Sequence, residues 1–126
     1  MEHVYFSDGN TKRISWVVKT GDKVIEEERD HVDIYLDKVN DEQSKYIAIH
    51  VGIFWSIGRF IIKNEDTVKI MLDSKSMFEH LSKEGQNLNA FIQERTRFLK
   101  QLSEQRKLKI EYQLIDSKDN LASKLL

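Results

Sequence analysis

The chain contains no cysteine and no proline among its 126 residues. Without cysteine, disulfides and thiolate metal sites are excluded, and a reducing cytoplasmic environment is expected. We attach no functional meaning to the lack of proline. No charge of one sign dominates, since the formal net charge is −1 and the pI is about 6.4. A surface built throughout for polyanions is therefore excluded, and any nucleic-acid site must be a local patch.

Long hydrophobic runs are also scarce. The longest, residues 46–62, is a little short for a membrane span and contains His50 and Arg59, which cost several kcal/mol at the centre of a bilayer. The first residues, MEHVYFSDG, lack the basic start and apolar run of a signal peptide. We therefore expect a buried helix within 46–62 and no membrane partner.

The overall composition is that of a globular protein, with 40% hydrophobic and 33% charged residues. Dividing a chain of this length would leave two pieces too small to bury independent cores. Residues 1–126 are therefore predicted to form one domain.

The first third of the chain is predicted to be an antiparallel meander of about three strands. Residues 4–8 have strand composition and end at a turn signal, and residues 13–20 alternate as a half-buried strand does. A turn at Gly21 then leads into a third strand from residue 23. Residues 31–37 continue the alternation, which places Val32, Ile34 and Leu36 on one face.

The rest of the chain alternates helices with strands. Asn40 and Gln43 form the pattern of a capping box, and the helix that follows is apolar on nearly every face, so we expect it to be covered on two sides. The later elements are a strand at 67–73, a helix at 74–81, a break at Gly85, a helix at 88–105, a strand at 108–115 and a short helix at 119–126. The predicted fold is α/β, with a mixed sheet.

Two predicted strands end in aspartate. Asp8 is followed by Gly9, and Asp73 by Ser74. If these strands are adjacent and parallel, the two carboxylates meet at one edge of the sheet, where Mg²⁺ could bridge them. Aspartate at a strand end is also a common turn residue, which is the alternative interpretation.

Four short motifs in this order resemble the ribonuclease H family. YFSDG is similar to the family's first-strand Tyr-x-Asp-Gly, and IMLDS to its fourth-strand Asp-Ser. SKYIAIHVG resembles the first-helix Ala-Glu-Tyr-x-Ala-Leu-x-x-Gly, and DNLASKLL the closing Asn-x-x-Ala-Asp-x-Leu-Ala. The resemblance spans essentially the whole chain and implies a ribonuclease H-like mixed sheet.

The resemblance also implies a chemistry. In that family four carboxylates hold two metal ions, Mg²⁺ or Mn²⁺, which activate a water to cut the RNA strand of an RNA–DNA hybrid. Asp8 and Asp73 match two of the four carboxylates. The helix glutamate falls on Lys45, and the last aspartate falls on Ser123, or on Lys124 if Asn120 anchors the alignment.

Other family positions also differ. The asparagine pair that contacts the hybrid falls on Asp41 and Glu42, acids that would repel phosphate. The loop before the last helix, IDSKDN, lacks the histidine that many members place there. These departures put hybrid cleavage in doubt.

Lys45 has three interpretations. As a built-in counter-ion, its ammonium replaces the metal between Asp8 and Asp73, and the protein is a ribonuclease H-like pseudoenzyme. As an ordinary surface lysine, it pairs with Asp41 or Glu42 on the first helical turn. In the third, Asp41, Glu42 and Asp119 replace the missing carboxylates, and a divergent nuclease keeps weak or manganese-dependent activity.

The best candidate for a nucleic-acid surface is the segment ERTRFLKQLSEQRKLK, which ends at residue 109. Its basic residues are Arg95, Arg97, Lys100, Arg106, Lys107 and Lys109. They predict contact with an RNA–DNA hybrid or another double-stranded nucleic acid, and the alternative is an ordinary solvated helix face. The function that we favour is a nucleic-acid-associated pseudoenzyme that has lost or nearly lost hybrid cleavage. The alternatives are the active, divergent nuclease and a protein-interaction domain that keeps only the scaffold. The sequence leaves the oligomeric state open.

Overall fold

The computed structural model describes residues 1–87 and 89–126. Five strands form one mixed sheet in the order β3-β2-β1-β4-β5, and the described helices are three. The strands are β1 (Glu2–Gly9), β2 (Arg13–Thr20), β3 (Lys23–Asp30), β4 (Thr67–Leu72) and β5 (Lys109–Leu114); the helices are α1 (Asp41–Gly58), α2 (Lys75–Ser82) and α3 (Ala90–Gln105). The predicted α/β mixed sheet is confirmed.

Strand direction changes at the centre of the sheet. β1, β2 and β3 pair antiparallel, whereas β4 lies parallel to β1 and β5 parallel to β4. The alternating side chains of β1 and β2 divide the interior into two parts. Tyr5, Trp16 and Val18 face the larger cluster with the helices, and Phe6 and Val17 pack on the other face with Ala122.

Helix α1 begins where the capping box predicts. The backbone N–H of Gln43 donates to Asn40 Oδ1 (2.7 Å), and the Asn40 N–H donates to Gln43 Oε1 (2.9 Å). α1 packs on β1 and β2 and beside α3, which covers the two sides expected. Phe54 nevertheless stays 63% exposed. No helix within the described ranges combines the length and hydropathy that a membrane crossing requires.

The alternation at residues 31–37 does not produce a strand. Residues 33–38 form turns, and Val32 and Ile34 are 60% and 67% exposed. β2 begins at Arg13, which pairs with Asp30, so a longer β3 would have no partner strand there. Alternation alone was therefore insufficient to predict this segment.

The predicted C-terminal helix at 119–126 is also wrong. Two short 3₁₀ turns, Ser117–Asp119 and Ser123–Leu125, take its place. Asn120 between them is extended (φ −81°, ψ 105°), and its side-chain Oδ1 accepts the N–H of Ala122 at 3.1 Å. This local hydrogen bond competes with helix formation.

For the predicted helix at 88–105, Asn89 is the N-cap of α3, and Leu88 lies outside the described residues.

Candidate active site at the carboxyl edge of the sheet

Asp8 and Asp73 lie next to each other because their strands are parallel neighbours. The pairing of β1 with β4 matches Phe6 to Met71, and two residues further along each strand stand the two aspartates. Both side chains are largely buried. Burying two like charges together is unfavourable unless other groups compensate them.

The compensating charge is Lys45, in the first turns of α1. Its Nζ lies 3.2 Å from Asp73 Oδ1, to which it donates a hydrogen bond, and 3.6 Å from Asp8 Oδ1. The lysine side chain is 27% exposed. Burial lowers the pKa of Lys45, but the negative charges of Asp8 and Asp73 outweigh burial, so this pKa is raised above its ordinary value. The ammonium therefore stays charged at neutral pH.

Gly9 lets α1 approach closely enough for this contact. A Cβ added at Gly9 would lie 2.8 Å from the carbonyl carbon and oxygen of Ser44, inside the distance that side chains tolerate. Ser44 is also held by His31, whose Nε2 is 2.7 Å from the serine Oγ. The glycine after Asp8 thus brings Lys45 to the edge of the sheet.

The second oxygen of each carboxylate meets a neutral donor from the C-terminal segment. The Ser123 hydroxyl donates to Asp8 Oδ2 at 2.6 Å, and the Asn120 amide donates to Asp73 Oδ2 at 3.0 Å. Asn120 also donates to the carbonyl of Ser7 at 3.0 Å. The family's last aspartate could fall on Ser123 or on Lys124. Of these two residues, Ser123 contacts Asp8, whereas Lys124 is exposed.

Asn120 is the site residue that the sequence interpretation missed. The sequence offers Asn120 only as an anchor for the family resemblance, yet the residue is 2% exposed and ties the C-terminal segment to both β1 and Asp73. The available signal was its place in the closing Asn-x-x-Ala motif. Ser15 completes this attachment by donating to the carbonyl of Ala122 at 2.7 Å.

The donor set does not suit a pair of divalent ions. Mg²⁺ and Mn²⁺ bind oxygen ligands, whereas here an ammonium group contacts both carboxylates. Among the residues that the structure describes, no three acidic, histidine or cysteine side chains form a cluster that could hold a metal ion. Asp41, Glu42 and Asp119 are exposed.

The predicted basic surface is divided by the fold. Arg95 is half-buried, and its guanidinium donates to the Tyr35 hydroxyl in the turn before α1 and to His50 Nδ1 on α1. Arg97 and Lys100 line a cleft of about 680 Å³ between α2, α3 and β5. The remaining members, Arg106, Lys107 and Lys109, lie where β5 begins. β5 is parallel to β4, so these three lie at the end of the sheet opposite Asp73.

Comparisons with known proteins identify the fold. No protein-family model matches the chain, and a search of curated proteins finds no significant match. Solved structures do match: ribonuclease H1 from Halobacterium salinarum is 13% identical with a TM-score of 0.78, over 98% of this chain and 96% of that one. The N-terminal ribonuclease H domain of a Mycobacterium tuberculosis protein is 18% identical with a TM-score of 0.77, over 98% and 89%.

A third match is LC11-RNase H1, isolated from compost and solved with an RNA/DNA hybrid. It is 11% identical with a TM-score of 0.71, over 98% of this chain and 91% of that one. At these identities the similarity shows the fold alone. The chain has the ribonuclease H fold, and its function must be argued from the site.

Proposed function

We propose that this protein binds nucleic acid on a ribonuclease H scaffold and has lost, or nearly lost, the cleavage of RNA–DNA hybrids. The observation that carries the proposal is the position of the Lys45 ammonium, 3.2 Å from Asp73 and 3.6 Å from Asp8. An ammonium there replaces the positive charge of a metal but supplies no metal-bound water to attack a phosphodiester.

Ser123 supports the same proposal. A fourth carboxylate would bring another negative charge to this edge, whereas the serine hydroxyl donates to Asp8 and needs no cation. The two replacements are complementary, since Lys45 adds a positive charge and Ser123 adds a neutral donor. Together they leave a site in which donors of the protein itself, rather than metal ions, bind the carboxylate oxygens of Asp8 and Asp73.

The test is incubation of a labelled RNA–DNA hybrid with purified protein, first in Mg²⁺ and then in Mn²⁺. The Asp73→Asn variant serves as the control for a contaminating nuclease. We expect no cleavage, or only traces, from folded wild-type protein. Efficient cleavage that the Asp73→Asn variant loses would overturn the proposal and favour a working nuclease that uses Asp8, Asp73 and relocated acids.

Binding is tested separately, with the same hybrid and an RNA duplex at increasing salt. Phosphate contacts give an affinity that falls steeply with salt concentration, because binding releases counterions. Salt-dependent binding in the absence of cleavage is the expected result. No binding to either duplex at low salt would instead favour a protein-interaction domain.

A further inference from the structure

A second surface lies on the helices, away from the Asp8 and Asp73 edge. Its side chains come from the turn before α1, from α1 and from α3, and we call it the aromatic–arginine stripe. Its members are Tyr35, His50, Phe54, Phe91, Arg95 and Phe98.

Stacked rings and one arginine organise the stripe. The His50 and Phe98 rings stack with centroids 5.8 Å apart and planes 24° from parallel. The Arg95 guanidinium lies 5.2 Å from the Tyr35 ring centroid and 5.1 Å from that of Phe91. Because Arg95 also donates to His50 Nδ1 at 3.1 Å, it links the two helices and fixes the rings.

Two phenylalanine rings of the stripe reach solvent. Phe98 is 37% exposed and Phe54 63% exposed. Phe54 stands four residues after His50 on α1, and therefore on the same face of the helix, one turn along. Planar apolar surface is thus available next to the ordered rings.

Positive charge lies beside one of these exposed rings, that of Phe98. The Arg97 guanidinium lies 5.3 Å from the Phe98 ring centroid. Neither Arg95 nor Arg97 takes part in an ion pair with any acid in the described part of the chain. An anion that also carries flat aromatic groups would complement both features.

We propose that the aromatic–arginine stripe binds single-stranded nucleic acid. Unpaired bases stack on Phe98 and Phe54, and Arg97, which lies beside the stripe, contacts the phosphate backbone. A duplex hides its base faces within its own stack, so the stripe favours single strands. The proposal concerns helices α1 and α3 and does not depend on the state of the Lys45 site.

The test measures binding of fluorescently labelled 12-nucleotide oligo(dT) and oligo(U) by anisotropy at 50 and 200 mM salt, without added metal. We expect wild-type protein to bind both oligonucleotides, more weakly at the higher salt. Phe98→Leu keeps an apolar side chain but removes the ring, and should weaken binding about tenfold, as the loss of one base–aromatic stack does. Phe54→Leu should also weaken binding.

Matched charge variants separate local contacts from net charge. Arg97→Gln should weaken binding and reduce its salt dependence. Lys19→Gln removes the same charge from β2, where Lys19 is exposed and shares the sheet face of Val17, opposite the helices, so it should bind as wild type. Urea unfolding checks that each variant is folded.

Several results would overturn the proposal. One is no single-strand binding at 50 mM salt, and another is unchanged affinity in both phenylalanine variants. A 12-base-pair duplex that loses the same affinity in Phe98→Leu would contradict single-strand preference. If the wild-type protein is a dimer and Phe54→Leu dissociates it, the stripe is a contact with a second copy of the chain. The oligonucleotide experiment does not depend on hybrid cleavage, so this proposal and the loss of cleavage at the Lys45 site can fail independently.

Discussion

Lys45 places one positive charge between two carboxylates that would otherwise face each other at the sheet edge. The sequence shows that a lysine stands at the helix position where the resemblance places a glutamate. It does not show whether the side chain turns toward the sheet or toward Asp41 and Glu42. That choice depends on the parallel pairing of β1 with β4 and on the close approach of α1, which are tertiary features.

Removing the lysine charge should destabilise the fold. Lys45→Gln leaves Asp8 and Asp73 without a counter-charge, at a cost of about 1–3 kcal/mol, less than for a fully buried pair because Lys45 is partly exposed. Urea unfolding at pH 7 measures this cost. Lys12→Gln breaks an exposed pair with Asp37 and is the control, with an expected loss of about 0.5 kcal/mol or less.

The stability that the Lys45 charge contributes should depend on pH. The pKa of Lys45 is raised in the folded protein: burial opposes the charge, and the two aspartates more than compensate. The stabilisation is therefore complete below the pKa of lysine in the unfolded chain and is lost as the pH rises through the higher folded-state pKa. Equal stability of wild type and Lys45→Gln at pH 7 would contradict the counter-ion interpretation.

Adding a side chain at Gly9 should also destabilise the fold. In Gly9→Ala the new Cβ would lie 2.8 Å from the Ser44 backbone, so the start of α1 must move away from β1. We expect a loss of about 1–3 kcal/mol in the free energy of unfolding, as for overpacked sites. Gly58→Ala is the matched control, because its added Cβ meets no atom within 4 Å. A Gly9→Ala protein as stable as the control would contradict the close approach that we describe.

Among the elements, local signals predicted α1 best. Its capping box lies within four residues and needs no distant partner. Residues 31–37 and 119–126 were predicted incorrectly for opposite reasons: the first has strand alternation but no neighbouring strand, and the second has helical composition but an extended Asn120. The local pattern is overridden in the first segment by the lack of a partner strand and in the second by the hydrogen bond between Asn120 and Ala122.

The contact between α1 and α3 predicts how His50 titrates. Burial, and then the positive charge of Arg95, lower the pKa of His50 below its ordinary value. Arg95 also donates to Nδ1, which requires a neutral acceptor there. Because the unfolded chain binds this proton more readily, His50 should reduce stability as the pH falls from about 6.5 through the lower folded-state pKa.

NMR titration of the four histidines measures this directly. Arg95→Gln should raise the pKa of His50, whereas Lys100→Gln, on an exposed part of α3, should change it less. Titration of wild-type His50 above its ordinary value would show that the α1–α3 contact differs from the one described.

For the whole molecule, the order of the strands and of the three main helices could be predicted from the sequence, whereas the placement of the basic side chains could not. Two antiparallel hairpins followed by parallel β4 and β5 bring Asp8, Asp73 and the start of α1 to one edge, and solved ribonuclease H structures share this fold. The basic residues follow the chain rather than one surface. Arg95 packs against α1, Arg97 and Lys100 line the cleft beside α2 and β5, and Lys109 begins β5. Basic residues that are close in the sequence therefore do not form a single basic surface in the fold.

Calorimetric titration with Mg²⁺ shows whether Lys45 takes the place of a metal ion. Wild-type protein should show no saturable binding, whereas the Lys45→Glu/Ser123→Asp variant, which restores four carboxylates, should bind the ion and lose that binding with the further change Asp73→Asn. If the wild-type protein already binds two Mg²⁺ ions, and Asp73→Asn loses them, Lys45 does not take the place of the metal.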